Sequence, residues 1–399
     1  MKIVIATFGT TGDVQPFLAL GVELLRRGHE VVLAAPPNFA PRAARHGLAF
    51  RGLGSSVDDA RTLHTIALAC QQAGMDEQIR LTLAVPMKHA EASVHELLET
   101  ARNADALVSI PYLAAGQISA ELLGLPFVSV HFSPFGSSRR PRLSAAAAPS
   151  FNALRKGFGL HPIAEPLGVD GISPTLALTP VSPSIFPRPA SWPAHHHVTG
   201  FWFLDEPAEP DPALQAFLAA GDPPVVIGFG SMAHEDPAAV TRILLRAVDA
   251  AQVRAVIQSG WSGLSDEHPP KNVMFTSFVS HAWLFPQASC VVHGGGAGTT
   301  AAGMRAGTPS VFVPHWLDQF MWGALARERR LASASIPIRE LDPEALAAAI
   351  LAARDSAAIR ECCAEASRAI RAEDGVAVAA GLIEALGGRR GAAAAGTSR

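Results

Sequence analysis

The sequence predicts an α/β protein of two doubly wound domains, each a parallel sheet wrapped in helices. Three observations carry that prediction. Both halves open on an apolar run that leads into a glycine-bearing loop and then a helix: residues 2–8 into GTTGDVQPF, and residues 225–229 into Gly230-Ser231. Further apolar runs, Glu30–Ala35 foremost, are continuous rather than alternating, as strands covered on both faces require. Between the halves lies a proline-rich, irregular stretch, with Pro207, Pro210, Pro212, Pro223 and Pro224 marking a linker over residues 205–224 that encloses one short helix.

In the first half, residues 2–8 form a strand, residues 9–17 a loop, and a helix follows to about Arg27, where a basic last turn meets the stop at Gly28. Glu30–Ala35 is the next strand, and residues 104–109 and 126–131 supply two more. In the second half a helix over 237–251 follows the opening strand. Strands at 254–258, 273–275, 289–293 and 310–314 come next, then helices at 344–353 and 359–386. The expected division is a first domain over 1–204, the linker, a second domain over 225–386, and a disordered tail over 387–399.

A chain of 399 residues with 49% apolar and 17% charged content can build two cores. A net charge of −3 argues against a nucleic-acid partner, since no basic excess is available to neutralise phosphates. Cys70, Cys290, Cys362 and Cys363 have the spacing of neither a zinc site nor a disulfide framework, so a reduced, cytoplasmic protein is expected. The first apolar run is short and leads into Gly-Thr-Thr-Gly, which reads as a strand and not a signal peptide. No run approaches the roughly 20 apolar residues that span a bilayer, so stable membrane insertion is not expected.

In open parallel sheets, ligands bind beyond the carboxyl ends of the strands. Four clusters fall at such ends: residues 9–13, Gly230-Ser231, residues 293–300 and residues 315–319. HGGGAGTT, from His293 to Thr300, precedes a helix, so its backbone N–H groups and the helix N-terminus can hold a diphosphate, aided by Thr299 and Thr300. It lacks the lysine of a P-loop and the spacing of a dinucleotide fingerprint; a tight structural turn is the other reading. Asp318-Gln319 mixes an acceptor with an amide, as adjacent sugar hydroxyls demand, or is a polar loop cap. Asp13 either caps the first helix or deprotonates an acceptor hydroxyl. The two roles pull against each other, because hydrogen bonds from backbone N–H groups weaken a carboxylate as a base. His195-His196-His197 reads as a solvated or interdomain loop, and no metal site is assigned.

GTTGDVQPF, SFVSHAWLFP (residues 277–286), VVHGGGAGTTAAGMRAGTP (residues 291–309) and PHWLDQ (residues 314–319), in this order, resemble the glycosyltransferases of antibiotic and sterol glycosylation. The resemblance runs from Met1 to about Leu386. It implies a GT-B fold, two Rossmann-like domains facing each other across a cleft, with the acceptor in the first domain and the nucleotide sugar in the second. It makes Asp13 the general base and brings Thr10 or Thr11 towards the donor phosphates. Ser231 and His293 would contact the diphosphate, with Gly296, Gly298 and Thr299 as further donors. Phe278 would lie by the nucleobase, the Val279 backbone would read its edge, and Asp318 and Gln319 would hold the sugar. Gly294 departs from the pattern, since many relatives carry a second histidine there.

The activity implied is inverting transfer of a hexose, from UDP-glucose or a TDP-sugar, to a small hydrophobic acceptor, with no metal and no cofactor, the nucleotide sugar being a co-substrate. His131, Phe132, Phe135, Met75 and Met87 are candidates to line the acceptor pocket, ordinary core packing being the alternative for each. Competing readings are a nucleotide-sugar epimerase, a transferase of lipid-linked sugars docking through Arg139, Arg140, Arg142 and the nearby phenylalanines, and a catalytically silent activator of another transferase.

Overall fold

The computed structural model describes residues 1–54, 60–133, 141–207 and 211–396. The chain divides into two units. The first comprises Met1–Asp59, Ala73–Leu204 and Glu373–Arg399, and the second Ala60–Gln72 and Asp205–Ala372.

The sheet of the first unit is built from β1 (Lys2–Ala6), β2 (Glu30–Ala35), β3 (Ala49–Gly52), β4 (Ala106–Ser109), β5 (Phe127–Val130), β6 (Leu176–Thr179) and β7 (His196–Val198). All pairings are parallel and the order is β3-β2-β1-β4-β5-β6-β7. In the second unit β8 (Val225–Gly228), β9 (Ala255–Gln258), β10 (Val273–Thr276), β11 (Cys290–His293), β12 (Ser310–Phe312) and β13 (Ala332–Ser335) form a second parallel sheet, ordered β10-β9-β8-β11-β12-β13. Both orders reverse after the third strand placed, which is the doubly wound pattern.

Coverage on both faces explains the continuous apolar strands. In β8, Val225 and Ile227 enter one core with Leu244, Val292 and Val311, while Val226 enters another with Val256, Leu284 and Val291. Each such buried side chain contributes about 1.5–3 kcal/mol, so neither face tolerates a polar residue. The helix Thr11–Arg26 buries Val14, Phe17, Leu18 and Leu24 along one stripe, and Asp13 lies in its first turn.

The structure corrects the sequence reading at several places, the first being the loop expected over 9–17: from Thr11 onward those residues are the first turns of the helix Thr11–Arg26. His195-His196-His197 is no solvated loop: His196–Val198 is the edge strand β7, and His196 is buried, its pKa lowered to about 4 chiefly by that burial and also by the nearby Arg188. The segment 205–224 is more than a linker, because Leu214 of its helix Pro212–Ala219 is fully buried in the second unit's core. The helix Ala60–Gln72, expected in the first domain, belongs to the second unit, where the Gln71 side-chain amide donates to the Ala233 carbonyl at 2.7 Å.

The helix expected over 359–386 is two helices, Ala357–Ala372 and Gly375–Gly396. Asp374 starts the second by accepting from the Ala377 N–H at 3.0 Å. This helix belongs to the first unit and continues through the run Ala392–Ala395, a strong helix former, where an irregular tail was expected. At its start Gly375 lies against the backbone of Gly200 and Phe201, and a Cβ on it would overlap both. Gly375→Ala is therefore expected to lower unfolding free energy by about 1–3 kcal/mol in chemical denaturation.

Candidate active site

The strand order reverses between β1 and β4 in the first sheet and between β8 and β11 in the second. Loops leaving neighbouring strands there diverge in opposite directions and open a crevice at the carboxyl edge. In each unit the clusters singled out in the sequence collect at that point.

In the first unit, Thr10 is the extended N-cap of the helix Thr11–Arg26, which puts Asp13 in the third helical position. The Asp13 carboxylate turns back on the loop. The Thr10 N–H donates to Oδ2 at 2.8 Å and the Thr10 hydroxyl donates to the same oxygen at 3.2 Å. Asp13 thus does cap the helix, from inside its first turn. Gly9 permits this: it has φ +131°, and a Cβ there would collide with the Asp13 carboxylate.

Tyr112, in the loop after β4, completes the arrangement. Its phenol donates to Asp13 Oδ1 at 2.9 Å. Burial raises the Asp13 pKa above the ordinary carboxylate value, against the lowering by hydrogen bonds from the Thr10 N–H, Tyr112 and the Thr10 hydroxyl. The same carboxylate thus caps the helix and has its pKa raised by burial. Tyr112 was not singled out from the sequence, although it is the chain's single tyrosine.

The acceptor candidates separate. His131 is buried, with Nε2 3.1 Å from the Ser129 hydroxyl, which also accepts from the Ser173 N–H at 2.9 Å; that network belongs to the fold's interior. Phe132 packs edge-on to buried Phe17, with centroids 5.5 Å apart. Met87 joins Arg80, Leu83, Ala84, Ala146 and Pro149 around a hollow of about 320 Å³ between the helices Met75–Lys88 and Pro141–Gly157. Phe135, Arg139 and Arg140 lie outside the described residues, as do the side chains of Met75 and Arg142.

In the second unit, β11 ends at His293, which is 1% exposed. The Gly295 N–H donates to His293 Nδ1 at 3.1 Å, so that nitrogen carries the lone pair and Nε2 carries the proton. Nε2 is buried and makes no hydrogen bond among the described residues. Burial above all lowers the His293 pKa to about 3, so the ring is neutral and presents an unmade N–H donor. Gly295 has φ +91°, and a Cβ on it would come within 2.9 Å of the Phe312 ring and 3.0 Å of the Gln319 carbonyl. It lets the loop lie flat against the next two elements.

Gly296 caps the helix Ala297–Ala306. A Cβ on either Gly296 or Gly298 would meet nothing within 4 Å, so the space before this helix N-terminus is open to an anion. Thr299 is half-buried there, but Thr300 turns inward: its hydroxyl is buried and lines a small void with Met304, Phe312 and Cys363. Ser231 follows Gly230, which has φ +60° and whose carbonyl accepts from the Trp261 N–H at 3.1 Å. Trp261, also missed in the sequence, is 44% exposed.

Phe278 is 69% exposed beyond β10, and the Val279 carbonyl accepts from the Gln258 amide at 3.1 Å, which pins that loop to β9. Leu317 holds the left-handed φ of +46°, a strained conformation for leucine, immediately before Asp318. Asp318 begins the helix Gln319–Glu328. Gln319 is buried, its oxygen accepting from the His315 N–H at 2.8 Å and its nitrogen 3.3 Å from the Met232 sulfur. Thioether sulfur is a weak acceptor, which a hydroxyl oxygen would outcompete. A side chain at Gly294 would reach the His315 ring and the Gln319 amide, at 3.5 and 3.6 Å from its Cβ. Among the described residues no group of three metal-ligating side chains converges, and no helix is long and apolar enough to cross a membrane.

Residues 3–135 match the glycosyltransferase family 28 N-terminal domain, and residues 244–384 match the C-terminal domain of the erythromycin biosynthesis protein CIII-like family. The chain is 31% identical to O-mycaminosyltylonolide 6-deoxyallosyltransferase of Streptomyces fradiae, over 96% of this chain and 97% of that protein. It is 33% identical to a sterol 3-beta-glucosyltransferase of Arabidopsis thaliana, over 95% of this chain and 67% of that protein. Other sterol glucosyltransferases it matches are longer, and the chain spans 26% of the one from Debaryomyces hansenii. The crystal structure of the glycosyltransferase of kitacinnamycin superposes with a TM-score of 0.73 at 19% identity, over 96% of this chain and 98% of that one. With its two parallel α/β units, the chain belongs to the GT-B glycosyltransferases, in the family that contains these macrolide and sterol enzymes.

Proposed function

We propose that the protein is an inverting glycosyltransferase that moves a hexose from a nucleoside-diphosphate sugar, UDP-glucose before a TDP-sugar, to a hydroxyl of a hydrophobic natural product or sterol-like acceptor. The observation that carries the reading is His293, a neutral, buried ring with an unmade N–H donor beside an open helix N-terminus. Leaving such a donor unsatisfied costs about 1–3 kcal/mol, which a phosphate oxygen would recover.

In this reading Ser231, His293 and the N–H groups around Gly296, Gly298 and Thr299 receive the diphosphate. Their donors stabilise the charge that develops as it leaves, the task a divalent ion performs elsewhere. Phe278 stacks on the nucleobase, and Val279, its carbonyl already engaged, offers its N–H to the base edge. Asp318 and Gln319 hold the sugar hydroxyls, with Gln319 leaving the Met232 sulfur to do so. Thr10 and Thr11 supply further donors towards the phosphates. Asp13 takes the proton from the acceptor hydroxyl, whose oxygen attacks the anomeric carbon from the face opposite the diphosphate. The apolar hollow beside Met87 suits a hydrophobic acceptor.

UDP-glucose is ranked first because glucosyltransferases recur among the relatives; the deoxysugar in the name of the Streptomyces relative keeps TDP-sugars in the test. Purified protein incubated in EDTA with each donor and a panel of sterol, polyketide and phenolic acceptors should give acceptors heavier by one sugar residue. If no product forms and neither UDP nor TDP raises the melting temperature, the reading fails.

A further inference from the structure

The geometry points to Tyr112 as a positioning residue for the Asp13 base, one that fixes which carboxylate oxygen receives the proton. This rests on the proposed role of Asp13. The two residues are 99 positions apart in the chain and meet because β1 and β4 are neighbours, with Ala6 beside Ser109. Their loops leave adjacent strand ends, and Tyr112 closes over the carboxylate from the β4 side.

The distribution of donors is uneven. Oδ2 accepts two hydrogen bonds, from the Thr10 N–H and the Thr10 hydroxyl, while Oδ1 accepts one, from the Tyr112 phenol at 2.9 Å. A carboxylate has about four lone-pair sites, two on each oxygen. Oδ2 is the more heavily engaged oxygen, which leaves Oδ1 to take the proton. The acceptor's O–H bond breaks there and a new O–H bond forms to Oδ1. The freed electron pair makes the bond to the anomeric carbon, and the pair of the breaking carbon–oxygen bond leaves with the diphosphate.

Tyr112 acts on this step twice. It prevents the carboxylate from rotating to exchange its oxygens, and its hydrogen bond favours the ionised form that can accept a proton. Among the side chains hydrogen-bonded to the Asp13 carboxylate, Tyr112 is the one that titrates and Thr10 does not, and burial is the largest cause of the Asp13 shift. A tyrosine that merely tied two loops together would affect stability and leave the pH profile alone.

Tyr112 is the chain's single tyrosine, so protein labelled with ¹³C at tyrosine Cζ gives one signal. That signal should move in one step with pH, at the same midpoint as the acid limb of kcat/KM, and the step should vanish in Asp13→Asn. Tyr112→Phe keeps the ring and loses only the donor. Its kcat should fall about tenfold, as for one lost hydrogen bond to a charged group, with the KM for the donor unchanged. Its acid limb should move to higher pH, because the bond removed had favoured the charged form.

A tyrosine signal flat through the acid limb, or a Tyr112→Phe profile superimposable on wild type, would overturn the inference while leaving Asp13 as base. An Asp13→Asn enzyme as active as wild type would remove the base and this role together.

Discussion

Asp13→Asn is expected to lower kcat by about 10²- to 10⁴-fold, the range for loss of a positioned general base, with little change in nucleotide affinity. Asparagine is nearly isosteric and its side-chain oxygen can still accept from the Thr10 N–H, so the helix cap survives. What it cannot do is take a proton. A residue that served only as a cap would give the opposite pattern: about 0.5–2 kcal/mol of stability lost on truncation and kcat intact. Comparing Asp13→Asn with Asp13→Ala by single-turnover kinetics and thermal melting separates the roles. The asparagine variant should be stable and slow, the alanine variant slow and also less stable. Wild-type activity loss on acidification should track Asp13, which burial has made more basic than an ordinary carboxylate.

His293→Ala is expected to cost about 10²- to 10³-fold in kcat, as removal of one preorganised donor to a developing anion does. The Gly295 N–H fixes the tautomer, and burial keeps the ring uncharged down to about pH 3. Two consequences follow from that neutrality. The contribution of His293 should not vary across about pH 6–9, in contrast to that of Asp13. His293→Asn, which keeps an N–H donor on a shorter side chain, should recover part of the loss. A His293→Ala enzyme with unchanged kcat, measured at saturating donor, would show that the unmade donor plays no part in leaving-group departure.

Much of this was legible in the sequence because it is local. Glu30–Ala35 is a strand over the range its apolar run predicts, and the glycine loops announce themselves by composition. Misses occurred where local pattern and tertiary context disagree. β13, Ala-Ser-Ala-Ser, carries no apolar run and is a strand only because β12 pairs with it. β7 hides in three consecutive histidines. The chain's return to the first unit at Asp374-Gly375 interrupts what reads as one continuous helix, and the fit of Gly375 against Gly200 is visible only in three dimensions.

The candidate site divides the same way. Gly9, Thr10 and Asp13 lie within five residues, and so does the turn from His293 to Gly296. Tyr112 reaches Asp13 through strand adjacency, and Trp261 reaches Gly230 in the same manner, so no spacing rule along the chain could have joined them. Thr300 shows the converse error: its hydroxyl is next to the loop in sequence, yet helix periodicity turns it into the core.

The most direct test is the anomeric configuration of the first product, read by NMR on the acceptor glycosylated from UDP-α-glucose. One displacement, with Asp13 taking the proton and the diphosphate leaving from the opposite face, predicts the β-glucoside alone. An α-glucoside would contradict that mechanism and the role given to Asp13.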